Sequence, residues 1–374
     1  MKKPELFIHV GIHKTGTTSI QHFFHRNYNE LLKKGVLYPK SLRKIENGLV
    51  HFAHHDLAWS FGFSGNDSRL DNKSDFSKRL MNEFIRTNSK CIFISSEAFE
   101  YVHSKNSLEK LKKEFKDFDV KIIMYIRRQD KLLQSVYKQR VKTGFTVEFN
   151  KFFRKSNFNY EEKIGFWEQF FGQENIIIKL FDDPDIKSNL IGNLLNDLGV
   201  DDLKGFSEEE FTNKNESFSN EHTLLISQLN AYTNSQMKGE IFKFFKEYYG
   251  EIKPVFSDDS FLSKKQLKII FNRHKKSNES LRKKYFPERE QLFNWNLEEE
   301  LKTHKSFNYK NVPDLMLDTF VYLLRNKKDS KRPPKKVKTI LNFQLQEIHI
   351  DKVFKQDEKL KDDVPENSQL IIKK

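Results

Sequence analysis

A three-layer α/β fold, with a central and mainly parallel sheet flanked by helices, is what this 374-residue sequence predicts. Three observations carry that expectation. Short apolar runs at residues 6–10, 91–94, 120–126 and 176–180 are separated by stretches with helical periodicity, the alternation of a sheet covered on both faces. A glycine loop follows the first run directly. Lys14, Glu97 and Arg127 each fall just past the carboxyl end of a strand, the edge at which such sheets bind ligands.

The first strand, residues 6–10, runs into Gly11, Ile12, His13, Lys14, Thr15, Gly16, Thr17 and Thr18. Ile20, Phe23, Phe24, Tyr28 and Leu31 then recur at helical spacing up to Lys34, and Gly35 marks the stop. Strand, glycine loop, helix is a setting in which backbone N–H groups hold phosphate oxygens. The G-x-x-x-x-G spacing makes the fold P-loop-like, but a nucleotide triphosphatase needs Gly-Lys-Ser/Thr at its end. Here Thr17 stands where that lysine belongs, and Lys14 lies three positions earlier. The cradle is kept and the charge is moved.

Residues 36–39 read as a short strand, and 41–73 as an irregular stretch holding the cluster His51, His54, His55 and Trp59. Phe76, Leu80, Phe84 and Ile85 mark a helix before the strand 91–94, which ends in Ser95, Ser96 and Glu97. Leu108, Leu111, Phe115 and Phe118 mark the next helix. Strand 120–126 is followed by Arg127, Arg128 and a helix through Leu132, Leu133, Val136 and Tyr137. Residues 167–171 lie on a helix, 176–180 form the fourth strand, and a helix over 186–198 is capped by Gly199. Residues 219–293 read as helical. Residues 327–338 are a basic, proline-broken linker, and 340–350 alternate like a strand. This divides the chain into an α/β domain with a helical C-terminal part over 1–295 and a basic C-terminal extension over 296–374.

The stretch from His9 to Gln21, with GIHKTGTTSIQ at its heart, resembles the 5′-phosphosulfate loop of sulfotransferases that use 3′-phosphoadenosine 5′-phosphosulfate (PAPS), in particular their bacterial carbohydrate-type branch. Arg127 at a strand end, Ser135 eight residues on and Tyr137 two beyond it are similar to that family's 3′-phosphate signature, in which a guanidinium fork and a hydroxyl take a dianion. The family has Asp or Asn then Pro after the Arg, whereas this chain has Arg128 and Gln129; Arg128 either contributes to the phosphate or faces solvent. The resemblance runs from about Leu6 to Phe293. It implies transfer of a sulfuryl group from PAPS to a hydroxyl or amine of an acceptor, a glycan or glycolipid, without a metal. It implies that Lys14 stabilises the leaving oxygen and that Thr15, Gly16, Thr17 and Thr18 hold the 5′-phosphate through backbone N–H and hydroxyl groups. The base is Glu97, in the position of a family glutamate, or one of His54 and His55. Lys214 touches the nucleotide or is a solvated lysine.

The net charge of +14 points to anionic partners. Residues 301–374 hold 17 Lys and Arg against 10 Asp and Glu, half of that excess, and this basic segment offers a peripheral membrane contact. No nucleic-acid motif is present, so no specific nucleic-acid partner is expected. The single cysteine, Cys91, in an apolar run, excludes an internal disulfide and reads as a buried small residue. The start MKKPELFIHV has no signal-like apolar region, and no stretch approaches 18 apolar residues, so a soluble, bacterial, cytoplasmic protein is expected. The competing readings are a P-loop kinase or nucleotide triphosphatase, and a non-catalytic binder of 3′,5′-bisphosphate (PAP) or polyanions.

Overall fold

Strand β1 (Glu5–Val10) lies at the centre of a five-stranded sheet. The computed structural model describes residues 2–70, 75–102, 104–207, 220–230 and 259–307. The other sheet strands are β2 (Val36–Leu37), β5 (Cys91–Ser96), β6 (Asp119–Ile126) and β7 (Ile176–Leu180). A separate hairpin of β3 (Ile45–Glu46) and β4 (Leu49–Val50) intervenes in sequence. The sheet order is β2-β5-β1-β6-β7, with every neighbouring pair parallel. Val10 lies level with Ser96 on one side and Met124 on the other, so these strands end along one edge.

Because strand side chains alternate between faces, each apolar run supplies two cores. Leu6, Ile8 and Val10 join Ile92, Ile94, Ile122, Met124, Ile126, Ile178 and Leu180 on one face. Phe7, Cys91, Phe93, Ile123 and Tyr125 line the other. The first face is covered by α4 (Phe76–Thr87), α5 (Lys105–Glu114) and α8 (Tyr160–Phe171), through Leu80, Leu108, Leu111, Ile164 and Trp167. The second is covered by α1 (Thr17–Arg26), α2 (Tyr28–Lys33) and α10 (Leu190–Asp197), through Ile20, Phe24, Leu31, Leu194 and Leu195. The three layers are those expected. The thiol of Cys91 is buried and pushed up to about 12 by burial, which makes it an apolar filler.

Two helices expected to be continuous are broken, each at an asparagine. Asn27 Nδ2 donates to the Phe23 carbonyl at 3.1 Å and separates α1 from α2. Asn189 Oδ1 accepts from Gly192 N at 3.0 Å, capping α10 and separating it from α9 (Pro184–Ser188). A short amide side chain competes with the helical ladder for backbone partners. The stretch 41–73 is less irregular than expected. Besides the β3–β4 hairpin it holds α3 (His55–Ser60), and its entry is clamped by buried Glu83, which accepts from Lys40 N and Ser41 N at 2.9 Å each.

The chain divides into two compact units. One comprises residues 1–140, 157–218 and 259–306, and the other 141–156, 219–258 and 307–374. The first therefore extends past the expected boundary at 295: helix Leu297–Thr303 belongs to it, and Ser306 bridges Ser260. Helix α6 (Gln129–Lys142) begins in the first unit. The second unit contains α7 (Phe149–Lys155), which was not expected from the sequence, and α11 (Asn220–Asn230). Asn230 Nδ2 there donates to Val141 O at 2.8 Å. Lys214, the basic linker 327–338 and the strand expected at 340–350 lie outside the described residues.

Trp167 is fully buried and stacked on Phe63 at 5.8 Å and Phe171 at 5.8 Å. Trp167→Ala is expected to lower unfolding free energy by about 3–5 kcal/mol, read as a reduced urea midpoint.

Candidate functional site

The site is the loop between β1 and α1 together with the ends of β5, β6 and β7, all within the first unit. Gly11 N donates to Ser96 O at 3.1 Å, tying the loop to β5. A Cβ on Gly11 would lie 2.4 Å from Thr17 Cγ2 and 3.2 Å from Glu97 N, so only glycine lets the segments approach this closely. Ile12 O accepts from Thr15 Oγ1 at 2.7 Å and Thr17 Oγ1 at 3.4 Å. Lys14 and Gly16 are both left-handed, with φ of 64° and 80°. The chain thus makes a tight nest before α1, whose N-cap Gly16 offers no side chain to the helix N-terminus.

Two of the threonines correct the expectation. Thr15 and Thr17 are buried, and their hydroxyls are engaged on the Ile12 carbonyl, so they brace the loop. A phosphate here would meet backbone N–H groups and the exposed Thr18.

Lys14 and Arg127, 113 positions apart, are brought together. Arg127 Nη1 donates to the Lys14 carbonyl at 3.3 Å and to Ser135 Oγ at 2.8 Å, while Nε donates to Asp182 Oδ1 at 3.2 Å. Arg127 Nη2 donates to no protein group among the described residues, and the guanidinium carbon lies 5.4 Å from the Phe181 ring centroid. Lys14 Nζ reaches Gln139 Oε1 at 3.4 Å. Burial, then the Arg127 charge, lowers the Lys14 ammonium below its ordinary value, with Glu97 opposing. Asp182 was not anticipated: it follows β7 and also accepts from Arg128 N at 2.9 Å. Arg128 neither joins the phosphate site nor faces solvent. It is 8% exposed, forked onto Asp130 at 2.7 and 2.8 Å and bonded to Glu300 at 2.6 Å, over the Trp295 ring.

Glu97 is half-buried at the first position of a short 3₁₀ turn whose cap is Ser96. Burial raises its carboxyl above the usual range, Glu100 adds to this, and His13 and Lys14 oppose it. A second carboxylate beside it had no signal in the sequence beyond lying three residues on. Glu100 accepts from His13 N at 2.8 Å and His13 Nδ1 at 2.5 Å on one oxygen, and from Lys163 Nζ at 2.5 Å on the other. The Tyr101 hydroxyl lies 3.2 Å from His13 Nε2. Despite its burial, Glu100 is held well below the usual carboxylate range by Lys163 and His13.

His54 is corrected as a candidate base. It is fully buried, its Nε2 donates to Pro39 O at 3.1 Å and its Nδ1 accepts from Ser95 N at 3.3 Å. Both ring nitrogens serve the backbone, and no lone pair remains for a substrate proton. His55 is half-buried, bonded through Nδ1 to Ser96 Oγ at 2.8 Å. Burial, with His51 next, lowers it to about 4, so it is a weak base. Among the described residues no group of His, Cys, Asp and Glu is arranged to hold a metal ion, and no helix is long and apolar enough to cross a membrane.

No protein-family model matches the chain. It is similar to an uncharacterised protein of Archaeoglobus fulgidus, 30% identical over 207 residues that cover 54% of this chain and 55% of that one. The chain thus spans about half the length of the curated relative it matches. Among solved structures it is similar to a sulfotransferase from Alicyclobacillus acidocaldarius, 15% identical over 66% of this chain and 97% of the other, with a TM-score of 0.34. It is also similar to a chain of the PezAT chromosomal toxin–antitoxin system of Streptococcus pneumoniae, 13% identical over 67% and 88%, with a TM-score of 0.19. Likenesses of that size decide nothing about this chain.

Two outcomes follow from the geometry. Gly16→Ala must hold a left-handed φ, and its Cβ would meet Leu190 Cδ2 at 2.3 Å. The leucine tip can move but the backbone cannot, so a loss of about 1–2 kcal/mol in unfolding free energy is expected. His9, in β1, is buried and lowered to about 3 by burial, and His54 is lowered well below its ordinary value by burial first. Histidines kept neutral by the fold contribute stability that is fully present above their unfolded value of about 6.5 and is lost as pH falls toward the folded one. The urea midpoint should therefore fall between pH 7 and pH 5, and fall less in His9→Phe.

Proposed function

We propose that this protein is a sulfotransferase that moves the sulfuryl group of PAPS to a hydroxyl, or an amine, of an acceptor. The observation that carries the reading is the convergence of Lys14 and Arg127, bonded through the Lys14 carbonyl, at the mouth of a phosphate-type loop. Two half-buried cations drawn together, with only Asp182 paired to one of them, favour a polyanion between them. The donor set suits a nucleotide with phosphates at two places: the nest and α1 N-terminus for one, and for the other Ser135 with the Nη2 edge of Arg127, which is unpartnered among the described residues.

PAPS supplies an activated sulfuryl group on a bisphosphate leaving group. Glu97, with its proton affinity raised by burial, takes the acceptor's proton while the acceptor oxygen forms its bond to sulfur. The bond from sulfur to the bridging phosphate oxygen breaks, and Lys14 stabilises the charge left on that oxygen, or donates a proton to it. Its lowered pKa favours the donation. Asp182 holds Arg127 in place through Nε and steadies the β6 end through Arg128 N. The acceptor class, a glycan or glycolipid, rests on the resemblance of the loop and strand-end motifs.

The test is calorimetric titration of PAP into the full chain without metal, with ATP plus magnesium as the control ligand. PAP should bind, and Arg127→Ala should weaken it by about 10- to 100-fold, the value of lost charge-assisted hydrogen bonds. In a sulfation assay Lys14→Ala should lower kcat by about 100- to 1,000-fold, the loss seen for one oxyanion donor. Tighter binding of ATP with magnesium would overturn the proposal in favour of a kinase or triphosphatase. PAP binding without sulfation of any acceptor would leave a non-catalytic binder.

A further inference from the structure

His13 and Glu100 take no part in that chemistry, yet they form a densely bonded polar cluster at the strand ends. Glu100 Oε2 receives two donors from one residue, His13 N at 2.8 Å and His13 Nδ1 at 2.5 Å, and Oε1 receives Lys163 Nζ from α8 at 2.5 Å. His13 precedes Lys14, whose φ of 64° is the strained point of the loop. The Tyr101 ring meets the imidazole edge-on, with centroids 5.3 Å apart, and its hydroxyl closes on Nε2. The imidazole is thus fixed at both nitrogens, in contrast to the half-exposed histidines of the 41–60 stretch.

We propose that the Glu100–His13 pair is the positioning device of the proton-accepting side of the site, holding an imidazolium charge beside Glu97 and fixing the turn that presents Lys14. The inference rests on the reading of Glu97 as base. All groups facing the pair enter its balance. The loop supplies His13 and Lys14, the 3₁₀ turn supplies Glu97, Glu100 and Tyr101, α8 supplies Lys163, α3 supplies His55 and α6 supplies Arg140. Burial pulls His13 down, but the Glu100 hydrogen bond and charge, joined by Glu97, outweigh it, and Lys163 does not reverse the sign. The balance favours the imidazolium form of His13, in keeping with its Nδ1 donating to the Glu100 carboxylate. A cation there lowers the pH at which Glu97 becomes a carboxylate, offsetting the burial that pushes it up. His13 acts through Glu97 and is a positioning residue, with no contact to the reacting atoms required.

The experiment follows the Glu97 side-chain carboxyl resonance through a pH titration of the full chain labelled with ¹³C at glutamate Cδ, assigned by its loss in Glu97→Gln. In His13→Gln the Glu97 midpoint should move to higher pH. Glu100→Gln keeps an acceptor oxygen for the His13 N–H groups but removes the charge, so there the imidazole midpoint of His13 should fall. An unmoved Glu97 midpoint in His13→Gln, or an unmoved His13 midpoint in Glu100→Gln, overturns the inference. The titrations need no ligand, so absence of PAP binding in the wild type would sink the sulfotransferase reading while the Glu97–His13 coupling is still read directly.

Discussion

The constraint on which everything else depends is the parallel pairing of β1 with both β5 and β6. Parallel neighbours end at the same edge, and the crossover between them must be made by a segment long enough to return along the sheet. Val10, Ser96 and Met124 are therefore level, and whatever follows these strands is delivered to one place. Lys14, Glu97 and Arg127 come from distant parts of the chain and meet for that reason. Central β1 carries the loop, its neighbours carry the acid and the guanidinium, and β7 adds Asp182 beyond them.

That edge concentrates charge, and the protein balances it locally. Lys14, Arg127 and Lys163 face Glu97, Glu100 and Asp182, with His13 between the two sets. The pairing is uneven in a useful way. Glu100 and Asp182 each receive donors on both oxygens, whereas Glu97 accepts no hydrogen bond from the described residues. The Lys14 ammonium, likewise, reaches only a neutral amide at long range among the described residues. The groups given chemical roles are those left least satisfied, and the groups around them hold the geometry.

Much of the fold and part of the site were legible in the sequence. Runs of four to seven mostly apolar residues punctuated by helical periodicity gave away four strands, and the G-x-x-x-x-G spacing marked the loop. The breaks at Asn27 and Asn189 were not legible, because an asparagine inside a periodic segment can point to water as readily as to the backbone. His54 and His55 are adjacent in sequence, yet one is bonded into the core and the other is half-buried on Ser96. Their order along the chain says nothing of which way each faces. Arg128 misled for the same reason: only the fold shows Asp130, Glu300 and Trp295 gathered around it.

What the sequence by itself determined is which strands make the main sheet, and that a lysine and an arginine stand just past the ends of two of them. Local patterning is enough for that, since strand and helix periods are properties of neighbouring residues. Tertiary structure decided which polar groups are occupied and which are left free. Thr15 and Thr17 were turned inward to brace the Ile12 carbonyl, and Glu100 was closed by His13 and Lys163. Occupancy depends on what other segments bring within about 3 Å, and pairings across 63 to 125 positions of chain leave no trace in local pattern.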